Sequence, residues 1–223
     1  MTYASALTSS MAAQDAFERW AALQAWSNDV TNRLDESADL AFWERIADDY
    51  DADALATRVP AILERVRQLV PACATVLDVG AGTGAFALPL AEHTALVTAL
   101  DYSRAMLRVL RSKLQAAAAP GNVRVVLARW EDAEVEAHDV VFAANALYRV
   151  ADPRLALSKI VAVARRRGIV VWSIGRQPGP QPVGYQPGPD YVHLVDGLFA
   201  LDVLAHVELI ERVALVWWDR VAA

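Results

Sequence analysis

Val76-Leu77-Asp78-Val79-Gly80-Ala81-Gly82-Thr83-Gly84-Ala85-Phe86 is the stretch on which the reading of the fold turns. A short apolar run enters three glycines at alternate positions and leaves into helix-forming residues. Glycine lets the backbone turn tightly and approach a ligand closely, and the start of the next helix offers unpaired N–H groups. Gly80, Gly82 and Ala85 also satisfy the dinucleotide pattern GxGxxG/A, so the loop alone does not choose its ligand. Asp78 does. A carboxylate two residues ahead of the first glycine repels a pyrophosphate and attracts an ammonium or a sulfonium.

Working outward, a second apolar run, Val97-Thr98-Ala99-Leu100, ends at Asp101, seventeen residues after Gly84. An acid at the tip of a second strand is placed to accept hydrogen bonds from both hydroxyls of a ribose. The pattern then continues. Short apolar runs at Thr75–Val79, Ala95–Leu100, Val123–Leu127, Asp139–Ala143 and Gly168–Ile174 alternate with amphipathic segments at Ala85–Glu92, Ser103–Ala117 and Pro153–Arg166. Ser103 caps one helix, and Asp152-Pro153 gives another a cap with proline at its first position. This alternation predicts βαβ units and a mostly parallel sheet.

Ahead of it lies a helical part. Apolar residues recur near the 3.6 period at Ala13–Leu23, and Ser37–Asp49 has Ser37 as its expected cap. Ala54–Leu69 is interrupted by Pro60. Residues 1–70 are therefore expected as a helical cap packed on a Rossmann-like domain of residues 71–223. After the fifth strand, Gly175–Asp190 holds five of the ten prolines and four of the ten glycines, which predicts a loop at the carboxyl ends of the strands. His206–Glu211 and Val213–Trp218 are the expected sixth and seventh strands. The Glu211-Arg212 turn between them lacks the Gly or Asn that tight hairpins prefer, so the sheet has seven strands, or six if the last is lost.

Composition removes several function classes. The 223 residues contain 55% hydrophobic and 22% charged side chains, a globular balance. Cys73 is the only cysteine, and the four histidines form no HxxxH or HExxH pair, so no metal site is expected. With 27 acids against 21 bases the net charge is −6, and only Lys113 and Lys159 are lysines. A nucleic-acid surface needs a basic stripe. The one basic run, Arg165-Arg166-Arg167 before Gly168, reads as a helix end. No apolar stretch is long enough for a membrane helix, and residues 1–14 lack the form of a signal peptide, so a soluble cytoplasmic protein is expected.

LDVGAGTG (Leu77–Gly84), ALDYSRAML (Ala99–Leu107) and DVVFAANALYRV (Asp139–Val150) together make the chain resemble the class I S-adenosylmethionine-dependent methyltransferases of the small-molecule type. S-adenosylmethionine carries an ammonium and a sulfonium and no phosphate, so the charge of Asp78 favours it over NAD. The resemblance implies that Gly80, Gly82 and Gly84 pass the methionine part, with Asp78 near its ammonium. It implies that Asp101 holds the ribose, that Tyr102 and Met106 flank the adenine, and that Asn145 lies beside the methionine group and the substrate. Phe42–Asp51 looks like the helix that closes over the cofactor in such enzymes, through Trp43 and Tyr50; packing against the sheet is the alternative for both. Where many members carry Asp-Ala, this chain has Arg129-Trp130-Glu131-Asp132. There Trp130 is a candidate to stack on adenine, and Glu131 or Asp132 to take its amine. An NPPY motif of the amide and base N-methylases is absent, which argues against DNA-base methylation.

The implied reaction is in-line methyl transfer to a small-molecule acceptor, governed mainly by alignment. Where a base is needed, Tyr148 and His193 are the candidates, with Tyr185 and Tyr191 beside them. His138 precedes its strand and lies at the wrong end. The competing readings are a non-catalytic methyltransferase-like binding module and an NAD-dependent oxidoreductase, the latter disfavoured by Asp78. A monomer or a homodimer is expected.

Overall fold

Thr75–Val79 is β1, the strand around which the rest is ordered. The computed structural model describes residues 16–25, 35–116, 118–174 and 188–220. Residues 16–25 form α1. The elements that follow are α2 (Glu36–Ile46), α3 (Tyr50–Asp53), α4 (Leu55–Arg58), α5 (Pro60–Leu69), β1, α6 (Ala87–Ala91), β2 (Leu96–Asp101), α7 (Arg104–Leu114), β3 (Val123–Leu127) and β4 (His138–Ala144). A 3₁₀ turn (Leu147–Arg149), α8 (Pro153–Val163), β5 (Ala164–Ser173), α9 (Tyr191–Ala200), β6 (His206–Ile210) and β7 (Val213–Asp219) complete them.

The seven strands form one sheet in the order β3-β2-β1-β4-β5-β7-β6. β3, β2, β1, β4 and β5 run parallel, β7 joins β5 antiparallel, and β6 joins β7 antiparallel. α4–α7 cover one face, through Ile62, Val66, Phe86, Leu90, Leu107 and Leu110. α1, α8 and α9 cover the other, through Trp20, Leu157, Ile160, Leu194 and Leu198. The strand order reverses between β1 and β4. Ligands of such sheets sit at that point, beyond the carboxyl ends of the strands.

The doubly wound, mostly parallel sheet agrees with the expectation, and the C-terminal hairpin settles the strand number at seven. Glu211 takes a left-handed conformation (φ +54°) and so makes the turn that lacks Gly or Asn. Two expectations need correction. Asp35, not Ser37, caps α2: its carboxylate accepts the Ala38 N–H at 2.8 Å. Arg165–Arg167 is not a helix end. α8 stops at Val163 and β5 begins at once, so the arginines occupy the start of a strand. Arg167 is paired with Asp219 at 2.7 Å and donates to the Leu69 carbonyl at 2.5 Å. Gly168 then lies mid-strand opposite Trp218; a Cβ there would stand 2.1 Å from the Trp218 ring. The glycine makes room for an indole. Pro60 falls at the first position of α5, where its missing N–H costs nothing. Residues 175–187 of the Pro-rich segment, Tyr185 among them, and Ala13 lie outside the described residues. Among the described residues no helix is long and apolar enough to cross a membrane.

Candidate active site

A cavity of about 280 Å³ opens at the carboxyl ends of β1, β2 and β4. Its floor is the loop after β1. Gly80 and Ala81 donate to the Leu100 carbonyl at 2.8 and 3.0 Å, and Gly82 donates to Asp101 Oδ2 at 2.9 Å. Asp101 Oδ1 accepts the Ser103 N–H at 2.7 Å. One carboxylate therefore ties the glycine loop to the start of α7, where Ser103 caps Met106. Burial raises the Asp101 carboxyl above its ordinary range, and the backbone N–H donors of Ser103 and Gly82 oppose that rise.

Asp78 is different. It is 2% exposed, and its Oδ2 is buried with no hydrogen-bond partner. Burial first, and the neighbouring Asp101 carboxylate second, push its carboxyl up to about 8. A buried acid with an open oxygen in a cavity wall is costly to keep unless a ligand uses it. A cationic hydrogen-bond donor would satisfy both the charge and the geometry. The donor set thus fits the ammonium end of S-adenosylmethionine.

The cavity is roofed by the N-terminal helices. Trp43 Nε1 donates to Tyr102 Oη at 2.8 Å, and the Tyr102 hydroxyl donates to Asp39. Asp39, buried on α2, also meets Arg149 Nε at 3.0 Å. Burial and the adjoining Asp39 raise the Tyr102 phenol well above its usual range. Tyr50 stands over the loop, its Cε1 4.0 Å from where a Gly82 Cβ would be. Burial, then Tyr148, raises its phenol as well. Next to it, Asp51 accepts the Thr83 hydroxyl at 2.6 Å and is paired with Lys113, fastening α3 to the glycine loop. Trp43 and Tyr50 both line the cavity, contact each other edge to face and pack against Ala47, Ala105 and Met106.

Trp43, Tyr50, Asp78, Gly80, Gly82, Asp101, Tyr102, Met106, Trp130, Glu131, Asn145 and Tyr148 all line this one cavity. Gly84, Asp132, Tyr191 and His193 do not. Gly84 faces α7, where a Cβ would come 2.5 Å from Leu110 Cδ1. Its smallness serves packing of the loop on the helix. His193 accepts the Asp190 N–H on Nδ1 at 3.0 Å and closes a capping box at the start of α9. The structure gives it the third position of that box and leaves it outside the cavity lining. His193→Ala is expected to weaken α9 by about 1 kcal/mol in a denaturation curve and to leave turnover unchanged; a fall in turnover with S-adenosylmethionine affinity intact would make it the base.

Trp130 lines the cavity, but its indole is engaged elsewhere. Nε1 donates to the Ala156 carbonyl at 2.9 Å, and Lys159 lies over the ring while donating to the Trp130 carbonyl at 2.6 Å. The ring anchors the 129–133 loop to α8. Glu131 accepts the Ala151 N–H at 3.0 Å. Asn145, at φ +49°, turns the chain out of β4 and is locked to Ser173 through both ends of its amide, at 2.7 and 2.8 Å. His138 bridges Thr98 and the Glu136 carbonyl at the opposite end of the sheet, in keeping with its exclusion. Among the described residues no cluster of His, Cys, Asp or Glu has the form of a metal site.

Three cavity residues had no distinguishing signal in the sequence: Gln24, Asp39 and Arg149. Gln24 on α1 is 5% exposed. Its amide nitrogen donates to the Val150 carbonyl, which leaves Oε1 buried without a donor.

Residues 76–168 match the family described as a methyltransferase domain. The chain is 29% identical over 137 residues to a protein described as a probable ribosomal RNA small subunit methyltransferase A of Pyrobaculum aerophilum, covering 61% of this chain and 55% of that one. It is 34% identical over 109 residues to a phosphatidylethanolamine N-methyltransferase of Cereibacter sphaeroides, covering 47% and 53%. The chain thus spans about half the length of these curated relatives. A solved O-methyltransferase family protein of Burkholderia thailandensis superposes with a TM-score of 0.66 at 15% identity, over 83% of this chain and 62% of that one. A SAM-dependent methyltransferase of Aquifex aeolicus gives 0.62 at 18% identity, over 82% and 98%. These structures share the fold. Sheet order, glycine loop and the match over residues 76–168 together make the chain similar to the class I S-adenosylmethionine-dependent methyltransferases.

Proposed function

We propose that the protein transfers a methyl group to a small-molecule acceptor. When bound, S-adenosylmethionine would supply an electrophilic methyl on a sulfonium; an acceptor atom would bond to that methyl in line as the carbon–sulfur bond breaks and S-adenosylhomocysteine leaves. The observation that carries the reading is the pairing of Asp78, buried with an open oxygen, with Asp101, fixed at the tip of β2, in one cavity. Asp78 would hold the ammonium and Asp101 the ribose hydroxyls, with Tyr102 and Met106 against the adenine. The roof of Trp43 and Tyr50 excludes water from the reacting centre, and the locked Asn145 keeps the β4 exit rigid beside it. Such positioning accounts for much of the rate in a displacement whose leaving group is neutral. Tyr148 remains the candidate for moving a proton, because it lines the same cavity.

The cavity is roofed by helices and lined by six acids against two arginines, which supports a compact neutral or cationic acceptor over a nucleic acid. Calorimetric titration with S-adenosylmethionine, S-adenosylhomocysteine and NAD tests the reading. Micromolar binding of the first two, none of NAD, and at least a tenfold loss in Asp101→Ala are expected. Binding of NAD alone would overturn the proposal. Release of S-adenosylhomocysteine across an acceptor panel then separates catalysis from binding alone.

A further inference from the structure

β6 is an edge strand, and its chemistry is unusual for one. Natural edges are blunted by lysine, proline or inward charges, because open N–H and C=O groups recruit other strands. β6 has none of these on the face it shares with α9. Val207 and Leu209 lie opposite Val216 and Ala214 of β7, so both point to the α9 side of the sheet. They are 43% and 55% exposed. Phe199 at the end of α9 and Leu204 in the following turn are 66% and 80% exposed. All six large apolar side chains exposed among the described residues sit on α8, α9, β6 or the turn between the last two.

We propose that β6 pairs antiparallel with β6 of a second copy of this chain, giving a two-fold dimer with one continuous sheet. The strand is self-complementary when the axis passes through Glu208, its central residue. Val207 of each copy then faces Leu209 of the other, closing the apolar patch on itself. On the opposite face the two Glu208 carboxylates meet, which alone would be repulsive. Each already carries a counter-charge, since Arg65 Nε binds Glu208 Oε2 at 2.8 Å while the guanidinium lies over Trp217. The pair of acids thus becomes a four-charge cluster. The axis is perpendicular to the sheet, so α9 meets its own copy and Phe199 and Leu204 are covered with the strand. These four side chains offer roughly 500 Å² of apolar surface per protomer, and the strand backbone with its flanks supplies the rest of the ~800 Å² of a standard interface.

Sedimentation velocity and light scattering on the full chain at micromolar concentration should give twice the chain mass. Leu209→Arg places two cations in the closed patch and should raise the dimer dissociation constant at least about a hundredfold, with far-UV circular dichroism and S-adenosylmethionine affinity unchanged. Glu208→Cys in a Cys73→Ser background should form an intermolecular disulfide on mild oxidation, because residues on the axis face each other at about 4.5–5.5 Å between Cα atoms. A monomer at tens of micromolar would overturn the proposal. So would a dimer that survives Leu209→Arg and does not cross-link at 208, which would place the contact elsewhere.

Discussion

Replacing Asp78 by asparagine is expected to stabilise the protein without cofactor and to remove most of its affinity for S-adenosylmethionine. The two effects share one cause. The carboxyl titrates near 8 in the folded protein, against about 4 in an unfolded chain. Between those values the folded state holds a proton that the unfolded state has lost, so this group's contribution to stability is complete below pH 4 and declines as pH rises towards 8. Asparagine fills the same space with no charge to bury. At pH 7 the variant should gain on the order of 1–3 kcal/mol, seen as a melting temperature several degrees higher. Its stability should also lose the downward slope between pH 4 and 8. Affinity should fall about a hundredfold, the worth of a charge-assisted hydrogen bond in a buried site. In the wild type, binding at pH 7 should release close to one proton, because an ammonium draws the carboxyl into its ionised form. Titrations in two buffers of different ionisation enthalpy measure that number. Unchanged affinity in Asp78→Asn would place the ammonium elsewhere, and a lower melting temperature would mean that the carboxylate already has a stabilising partner.

The sheet was legible because its buried strands are written as continuous apolar runs, which parallel strands covered on both faces require. β1 and β3 emerge with the bounds expected for them. The start of β5 was not legible. Three arginines in a row look like a solvated helix end, yet at the foot of the sheet their long side chains reach past the edge, as Arg167 does to Asp219 and the Leu69 carbonyl. Nor does a connecting loop mark the change, since Val163 ends α8 and Ala164 begins β5. Gly168 strengthened the wrong reading, because nothing in the local sequence announces an indole fifty residues later.

The same division runs through the cavity. Residues set by place along the chain, such as Asp78 before the loop and Asp101 at the end of β2, are readable from spacing. Residues that act by tertiary placement are not. Asp39 is one acid among several on α2, and only the fold brings it under Tyr102 and Arg149. His193 shows the reverse case, a capping role that the sequence did not signal. A capping box is sought as Glu or Gln three residues after the cap, and a histidine in that role passes for a free base.

Gly80→Ala is expected to damage both the loop and the cofactor site, by two separable routes. Gly80 sits at φ +74°, where an L side chain costs about 1–2 kcal/mol. Its Cβ would also stand 2.5 Å from Ala146 Cβ at the exit of β4, while the Ala146 Cα is at an ordinary 3.5 Å. Overpacking of this kind adds about 1–3 kcal/mol. Since Gly80 also binds the Leu100 carbonyl beside Asp101, any shift that relieves the clash displaces the loop from Asp101. The single variant should therefore melt roughly 5–15 °C lower and bind S-adenosylmethionine at least tenfold more weakly. Ala146→Gly in the same chain removes the steric half and leaves the backbone strain. The double variant should recover the affinity and about half of the lost stability, which a double-mutant cycle reads directly. No recovery would mean that the left-handed backbone alone sets the cost. Full recovery would mean that the glycine is there only to let the β1 loop and the β4 exit touch, and that the cleft between them is shaped by contact rather than by strain.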